Sequence, residues 1–394
     1  MRRFIVLVLC TVSSSAFAQT SSFQLHMFIS ARTIYVKSPP SWTQGGFGRF
    51  DVGANTIDRH RTVNLQVAQL GFDWTPARWL LLHADGVARH EPSGTVGKRA
   101  GIVQAYADLF TEHLRFRAGS FWLPTSRENI DPLWTSRYTI TFSALNTWMG
   151  EEVRPLGADL QFSPNFYFTV GATAFRGNDT MGTVLAGRGW VFGNRLSVYD
   201  ENIAVPPPDD ITKAIGRDLD SRNGYSERVR VSLPERAMLQ FTHVDNRTEI
   251  RPAPAPEIPW LTKFNIVGGE IGTTSPNTLA AEWMSGDTTL AFPGGTFTLD
   301  FDTAYVLVSH KKGHDRWTAR VERFSTRSHR RRTNDDSRED GHAITVAWLR
   351  EASNHVRAGL EYVKVKGDRP GAALAGFDPR TGGSTITVEL RIAY

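Results

Sequence analysis

The stretch that decides the fold is S-T-I-T-V-E-L-R-I-A-Y, residues 384–394. Apolar side chains occupy every second position, and polar or small side chains lie between them. The apolar set is Ile386, Val388, Leu390, Ile392 and Tyr394. Because side chains of a strand alternate between the two faces of a sheet, this pattern predicts a β-strand with one apolar and one polar face.

An aromatic residue that ends such a strand resembles the closing strand of Gram-negative outer-membrane β-barrels. The resemblance implies that the apolar face contacts lipid and that the polar face borders a watery lumen. It further implies a place in the cell outer membrane, with outer-membrane lipid, lipopolysaccharide and the barrel-assembly machinery as partners.

The N-terminus has the three regions of a secretory signal peptide. Arg2 and Arg3 precede an apolar run at residues 4–10, and a polar stretch leads to Ala16-Phe17-Ala18. This order predicts a signal peptide over residues 1–18 and a single outer-membrane barrel over residues 19–394. Mature protein should therefore start at Gln19.

Composition excludes several classes of protein. Cleavage after residue 18 removes the only cysteine and two arginines, which lowers the formal net charge from +5 to +3. That balance does not indicate nucleic-acid binding. The mature part has no apolar run near the roughly 20 residues of a membrane-spanning helix. A closed barrel can still span a membrane, because its backbone hydrogen bonds are all satisfied.

Turn residues divide the chain into strands. Short breaks, most of which carry Pro, Gly, Asn or Asp, fall at residues 75–77, 112–113, 163–165, 234–235, 275–276, 310–315 and 351–354. Longer polar connections fall at residues 38–60, 91–100, 123–154, 178–224, 247–261, 290–296, 326–340 and 367–383. Alternating short turns and long loops are typical of an outer-membrane barrel. The sequence predicts an all-β, antiparallel transmembrane barrel of 16 strands, with 14 or 18 as alternatives.

Two places in the sequence do not fit this scheme simply. The parity of apolar residues changes within residues 62–74, which predicts a β-bulge near Ala68. Residues 190–199 could form an additional strand.

Strand parity predicts which charged side chains face the lumen. The arginines are Arg115, Arg117, Arg228, Arg230, Arg320, Arg357 and Arg391, and the carboxylates are Asp73, Asp108, Asp159, Asp300, Asp302, Glu322, Glu361 and Glu389. The positive and negative charges of these side chains nearly cancel. These side chains could brace a wet lumen as ion pairs, or they could select the permeating solute.

The third long connection is unusually apolar for a loop in water, and it should therefore pack against something. Its segments F-W-L-P-T-S-R-E-N at 121–129 and S-A-L-N-T-W-M-G-E-E-V-R at 143–154 resemble outer-membrane porins grouped with phosphate-selective porins. In porins the third external loop folds into the barrel and narrows the pore. The resemblance implies a constriction formed by Arg127, Glu128, Asp131, Arg137, Glu151, Glu152 and Arg154. An external lid or a subunit contact is the alternative for this loop.

Two other loops carry clusters of charge. Residues 179–222 include Asp200, Glu201, Asp209, Asp210, Asp218 and Asp220, where a divalent cation is conceivable although a solvated or plugging loop is favoured. Residues 327–332 include four arginines and His329, followed by acids with which they can pair. The arginines could alternatively bind the phosphates of a surface glycolipid.

Signals for catalysis are weak. His310 and His314 lie on a predicted turn, and the sequence has no G-x-S-x-G, HExxH or glycine-rich phosphate loop. No cofactor is predicted. We therefore expect a porin for small hydrophilic solutes or ions, with a homotrimer implied by the resemblance. An outer-membrane hydrolase and a non-conducting adhesin or structural barrel are the alternatives.

Overall fold

The computed structural model describes residues 22–55, 59–206, 211–254, 256–272, 274–329 and 337–394. Sixteen strands form one closed antiparallel barrel. They are β1 (Ser22–Lys37), β2 (Arg61–Ala77), β3 (Leu80–His90), β4 (Ala100–Phe110), β5 (Leu114–Ser120), β6 (Leu156–Phe162), β7 (Phe168–Arg176), β10 (Gly224–Leu233), β11 (Ala237–Asp245), β12 (Leu261–Ile271), β13 (Asn277–Phe292), β14 (Gly295–Lys312), β15 (Asp315–Ser328), β16 (Glu339–Glu351), β17 (Val356–Asp368) and β18 (Gly383–Ala393). The 16-strand prediction is confirmed, and the alternatives of 14 and 18 strands are wrong.

The loops contain the remaining elements. These are a hairpin of β8 (Asn202–Ala204) and β9 (Ile211–Lys213), helices α1 (Ala144–Glu152) and α2 (Thr183–Arg188), and 3₁₀ turns at Trp42–Gln44, Pro132–Trp134 and Pro370–Ala375. None of the helices in the described ranges is long and apolar enough to cross a membrane. The predicted signal peptide, residues 1–18, and Gln19 lie outside the described residues.

The first and last strands close the barrel. β1 pairs with β2 on one side and with β18 on the other, with Ile29 opposite Ile392. Tyr394 completes the closure, because its backbone N–H and C=O both bond to Met27, at 2.9 and 3.0 Å. The strand predicted from the last eleven residues is therefore the closing strand.

Short turns and long connections alternate around the barrel, with one exception. The short turns lie at residues 78–79, 111–113, 163–167, 234–236, 272–276, 313–314 and 352–355. We call this the short-turn end and the opposite rim the long-loop end. The predicted long connection at 290–296 is wrong, because only Pro293 and Gly294 separate β13 from β14. Gly294 has a φ of 96°, which glycine adopts without strain, so a tight turn joins the two strands.

The two faces of β18 have the predicted environments. Ile386, Val388, Leu390 and Ile392 are between 45% and 54% exposed on the outer face. The alternate residues, Thr385, Thr387, Glu389 and Arg391, are buried on the inner face. An apolar outer face on a closed barrel suits lipid, since no backbone hydrogen bond is left open to it.

The change of parity in β2 has a different cause from the predicted bulge. The pairing of β2 with β1 is continuous through Ala68, so the bulge prediction is wrong. Val63 and Leu65 face the interior and are buried there. Their inward position is favourable because the long-loop half of the lumen is filled by apolar loop side chains. Irregularities in this part of the wall lie elsewhere. The pairing of β2 with β3 shifts between Trp74 and Ala77, and Val103 of β4 is skipped between the partners of Asp85 and Gly86.

The filled half of the barrel contains a hydrophobic core. Trp148 of α1 packs edge-on against Trp190, with ring centroids 6.2 Å apart, and against Phe264 of β12 at 5.2 Å. Residues 190–199 belong to this core and add no strand to the barrel. The backbone N–H of Phe192 bonds to the carbonyl of Arg49 at 2.7 Å instead.

Candidate functional site

The connection between β5 and β6, residues 121–155 and hereafter the third loop, is attached to the inner wall by carboxylates. Glu361 of β17 accepts hydrogen bonds from the backbone N–H of Ile140 at 2.7 Å and of Thr141 at 2.9 Å. Glu322 of β15 accepts one from Ala144 at 2.9 Å. Hydrogen bonds to an ionised acceptor are stronger than neutral ones. They hold the middle of the loop inside the barrel.

Helix α1 begins at this attachment. The hydroxyl of Ser143 caps it by accepting from the backbone N–H of Asn146 at 3.2 Å. Glu322 lies at the same end, where free backbone N–H groups and the helix dipole favour a negative charge. The local sequence and the barrel wall therefore fix the start of the helix together.

Glu128 links the third loop to the wall through Arg320 of β15. Arg320 donates to Glu128 and also to Glu322, the latter at 2.6 Å. Glu128 accepts the backbone N–H of Ser143 at 2.8 Å as well. Both Glu128 and Arg320 are fully buried, so this pair fixes the loop and contacts no open water.

Glu152 joins α1 to α2. It accepts from the indole N–H of Trp148 at 2.6 Å and from the backbone N–H groups of Gly182 and Val184, both at 3.1 Å. Burial raises the pKa of Glu152 to about 7, because these hydrogen bonds offset only part of the cost of a buried charge.

Glu151 and Arg154 are buried in the same way. Glu151 pairs with Arg188 of α2, and its pKa is nevertheless raised to about 7 because burial outweighs the attraction of that cation. The guanidinium of Arg154 lies over the ring of Trp122, 4.5 Å from its centroid. Burial lowers the pKa of Arg154 to about 9. These groups connect the third loop to the next long connection.

Four of the seven residues predicted at the constriction therefore do not border a wet passage. Glu128, Glu151, Glu152 and Arg154 are at most 2% exposed. They do not border a passage because their side chains pack within and between the loops. Asp131 and Arg137 form an ion pair whose side chains are 25% and 24% exposed. Arg127 is buried against β11, with a nitrogen 3.4 Å from the sulfur of Met238.

Most of the charged residues predicted on the lumen wall lie on the inner face. They are Arg115, Arg117, Arg228, Arg230, Arg320, Arg357, Arg391, Glu322, Glu361 and Glu389, together with Asp73, Asp108 and Asp159.

The prediction for Asp300 and Asp302 is wrong, because both lie on the outer face of β14. Asp302 accepts from the indole N–H of Trp283 at 2.8 Å and from Arg323 at 2.9 Å, on the outside of the barrel. The inner positions of this part of β14 hold Leu299 and Phe301, both fully or almost fully buried. Parity misleads here because the wall packs against the apolar core of the loops.

A narrow cleft remains between the third loop and the wall of β1 to β3. Its volume is about 50 Å³, which holds only a few water molecules. It extends from His90 and Glu91 at the long-loop end to Phe28, Gln69 and Arg391 further down the wall. The residues of the third loop that line it are Thr135, Ser136, Thr139, Ile140 and Phe142.

Three arginines at the lower part of this cleft share one carboxylate. Glu389 lies 3.1 Å from Arg32, 3.1 Å from Arg357 and 3.3 Å from Arg391. Arg32 and Arg391 also line the cleft. One negative charge does not neutralise three positive ones, so this cluster carries net positive charge, while Asp51 and Glu91 line other parts of the cleft.

Other arginines near the lumen have no carboxylate of their own. Within the described ranges, Arg230 has only the hydroxyl of Thr169, at 3.2 Å, as a hydrogen-bond partner. Arg316 donates to Ser309 at 3.0 Å and lies over the ring of Tyr138. The inward carboxylates, in contrast, accept hydrogen bonds from arginines, histidines, tyrosines or loop amides.

Sequence reasoning missed several residues of the site. Arg32 occupies an inward position of β1, and the alternation of Ile29, Ala31 and Thr33 on the outer face could have indicated it. Glu270 and Glu282 also hold the loops, Glu270 through the hydroxyl of Tyr138 at 2.9 Å. No local signal marks these glutamates, because their partners are more than a hundred residues away.

The two charged loops have modest roles in the described structure. Asp179, Asp218 and Asp220 bring carboxylate oxygens within 4.8 Å of one another. Both oxygens of Asp179 already accept protein hydrogen bonds, from Leu219 and Thr248, which suits a packed loop. His329 lies 2.7 Å from Asp300. Asp209, Asp210 and the arginines at 330–332 lie outside the described residues.

Comparison with known proteins supports the architecture. No protein-family model matches the sequence, and no curated protein matches it. Solved structures, in contrast, match the fold of this chain. The outer membrane channel DcaP of Acinetobacter baumannii has a TM-score of 0.61 at 12% identity, with 95% of this chain and 97% of that chain covered. The chain has the fold of an outer-membrane β-barrel.

Two further structures have the same fold as this barrel. OmpF of Salmonella typhi, in complex with daunomycin, has a TM-score of 0.56 at 9% identity, covering 94% of this chain and 97% of that one. A loop-deletion mutant of OmpT, an outer membrane protein of Vibrio cholerae, has a TM-score of 0.55 at 11% identity, covering 95% and 100%. At such identities the likeness concerns the fold alone.

Proposed function

We propose that this barrel is a channel for the passive diffusion of small hydrophilic solutes, with a preference for anions. The observation that carries the proposal is the cleft beside the third loop, lined by Arg32 and Arg391. The cleft has a volume of about 50 Å³, so only small solutes would fit beside these arginines. Arginine side chains on its wall lower the energy of an anion there, because a narrow site is poorly screened.

The charge balance of the lumen supports the preference for anions. Glu322 and Glu361 are occupied by backbone amides of the third loop. Asp300 and Asp302, which would have offset the arginines, lie on the outer face. The positive charge of Arg230 and Arg316 is therefore left available to solutes. Grouping with phosphate-selective porins would fit this preference, although no family match supports the grouping.

A planar-bilayer recording tests the proposal. Purified barrel in a potassium chloride gradient should conduct, and its reversal potential should indicate a preference for chloride. Changing Arg391→Gln should reduce that preference by about fivefold, the effect of roughly 1 kcal/mol of lost attraction. Arg176→Gln is the matched control, because Arg176 is exposed on the outer face of β7. A preference for potassium, or equal effects of both substitutions, would refute the proposed selectivity.

The runner-up is a barrel that does not conduct. The packed core around Trp148 and Trp190 favours it, because this core fills most of the long-loop half. Absence of conductance from correctly folded protein would establish this alternative.

A hydrolase is less well supported. His310 bonds to the amide oxygen of Asn277 at 2.7 Å, so its Nδ1 is not directed at a serine nucleophile.

We also propose that the barrel assembles as a homotrimer. One similar structure is described as a trimer form of OmpT of Vibrio cholerae, with a TM-score of 0.53 at 10% identity. Small outward side chains support close contact between copies. Ala107, Ala118, Ala158 and Ala174 are directly paired across β4 to β7. Light scattering of the purified protein should give three times the monomer mass, and a monomer mass would contradict the proposal.

A further inference from the structure

The cleft beside the third loop has groups of opposite charge in its two parts. Arg32 and Arg391 line its lower part, where they share Glu389 with a third arginine. Asp51 and Glu91 line its upper part, toward the long-loop end. A solute in the cleft therefore meets guanidinium groups on one side and carboxylates on the other.

Asp51 has a carboxylate oxygen that no protein group uses. Its Oδ2 accepts the backbone N–H of Asn194 at 2.9 Å, and within the described ranges its Oδ1 accepts no hydrogen bond. Burial raises the pKa of Asp51, because this hydrogen bond and the nearby Arg195 offset only part of the cost of a buried charge. A cation beside Asp51 would lower that cost further.

The arginines of the upper part are held by carboxylates. Arg195 lies 2.8 Å from Glu91 and 2.6 Å from Glu201, and Arg89 lies 2.8 Å from Glu201. Together with Asp51, these side chains have a formal net charge of about −1, since three carboxylates face two guanidinium groups. The upper part is therefore not a second positive wall.

Asn194 joins the two parts of the cleft. Its backbone N–H donates to Asp51, and its side-chain oxygen accepts from Nη1 of Arg32. The carboxylate and the guanidinium are therefore separated by about the length of one residue. In an α-amino acid a single carbon separates the ammonium from the carboxylate, so a solute of this kind can contact both groups at once.

Much of the remaining lining is apolar. Val52 of the first long connection, Leu65 and Val67 of β2 and Phe142 of the third loop contribute to it. A methyl group is favourable against such a wall, because contact removes apolar surface from water. The cleft volume of about 50 Å³ leaves room for a small side chain only.

We propose that the cleft selects small zwitterionic solutes, namely α-amino acids of the size of glycine or alanine. The ammonium lies toward Asp51 and the carboxylate toward Arg32 and Arg391. A simple anion is attracted by the arginines and repelled by Asp51, whereas a zwitterion is attracted by both parts. This inference rests on the proposed channel function and narrows its class of solutes.

Swelling of proteoliposomes that contain the full-length barrel tests this selection. The probes are alanine and lactamide, which are isomers, but lactamide carries no charge. Wild-type barrel should admit alanine about fivefold faster than lactamide, the effect of one pair of unit charges about 4 Å apart in water. Phenylalanine has the same charges as alanine and a larger side chain, so it should enter more slowly than alanine.

The variant Asp51→Asn tests the residue. The amide keeps an oxygen for the N–H of Asn194 and loses the negative charge. Entry of alanine should fall about fivefold, entry of lactamide should stay the same, and the preference for chloride should rise. Asp340→Asn is the matched control, because Asp340 is exposed on the outer face of β16.

Closure of each variant is checked by its shift in gel mobility on heating. If Asp51→Asn does not close, Glu91→Gln takes its place, because Glu91 lines the same part of the cleft. It should also slow alanine and leave lactamide unchanged. A barrel that is merely distorted would change the entry of both solutes together.

Three outcomes would overturn the inference, and they are distinguishable. Equal entry of alanine and lactamide through wild-type barrel would exclude selection of zwitterions and leave a chloride-preferring channel in place. An unchanged advantage of alanine in closed Asp51→Asn would show that this carboxylate does not attract the ammonium. Vesicles that admit neither solute, from protein that carries no current, would refute the channel function itself.

Discussion

Replacing Glu361 by glutamine should release the third loop from the barrel wall while leaving the barrel closed. Glu361 holds two backbone N–H groups, those of Ile140 and Thr141, at 2.7 and 2.9 Å. Glutamine keeps one acceptor oxygen and turns an N–H₂ group toward the other amide. At least one charged hydrogen bond is then lost, which costs about 1.5–3 kcal/mol.

This energy converts into a change in the population of released loop. A loss of about 1.5–3 kcal/mol shifts the equilibrium between bound and released loop by about 10- to 100-fold. Strand pairing of β17 with β16 and β18 uses backbone groups and is untouched. The effect should therefore be confined to the loop. The conductance of the barrel should rise or become noisier when the loop leaves the wall.

Hydrogen–deuterium exchange measures the release directly. Amides of residues 140–144 should exchange faster in Glu361→Gln by about 10- to 100-fold. Glu227→Gln is the control, because Glu227 is exposed on the outer face of β10 and far from the loop. If protection of these amides stays the same in folded Glu361→Gln, the carboxylate does not anchor the loop and the reasoning fails.

Three further predictions concern the packed segment from α1 to α2, residues 144–188 and hereafter the plug, and the two chain ends. The pKa values of Glu151 and Glu152 are raised from 4.5 to about 7, so the folded plug binds more protons than the unfolded one between these values. Plug stability should be greatest below about pH 4.5 and fall as the pH rises through 7, with proteolysis of residues 144–188 faster at pH 8 than at pH 5. A flat profile would contradict this, and Glu152→Gln should flatten it in part. Deleting Tyr394 removes two backbone hydrogen bonds to Met27, which should cost about 2 kcal/mol and lower the melting temperature of the barrel seen by circular dichroism. An unchanged melting temperature would show that this pair adds nothing to closure. Mass analysis of exported protein should place the N-terminus at Gln19, and an intact Met1 would exclude the signal peptide.

The sequence by itself determined the barrel. Strand alternation at residues 384–394 is a local property of the backbone, and turn residues such as Pro234 and Pro276 act locally as well. Counting turns between alternating segments therefore predicted sixteen strands. Strand parity also placed thirteen of the fifteen charged wall residues of the predicted set on the inner face.

Only the tertiary structure decided what the inner face contacts. The parity rule assumes a wet lumen, but loops fill the long-loop half of this barrel with Trp148, Trp190 and their neighbours. There the apolar side chains turn inward, as Phe301 does, and the carboxylates Asp300 and Asp302 turn outward. Burial of apolar area is favourable on either face of a strand, so alternation alone cannot tell the two faces apart.

The candidate site depends on contacts between distant parts of the chain. Arg32 meets Glu389 from the far end of the sequence, and Glu361 meets Ile140 across more than two hundred residues. The apolar composition of the third loop predicts that it packs against something, but the partners of its charged residues were not predictable. Loop closure over such distances is set by how the whole barrel wall surrounds the loop, because no local propensity specifies which carboxylate a loop amide will meet.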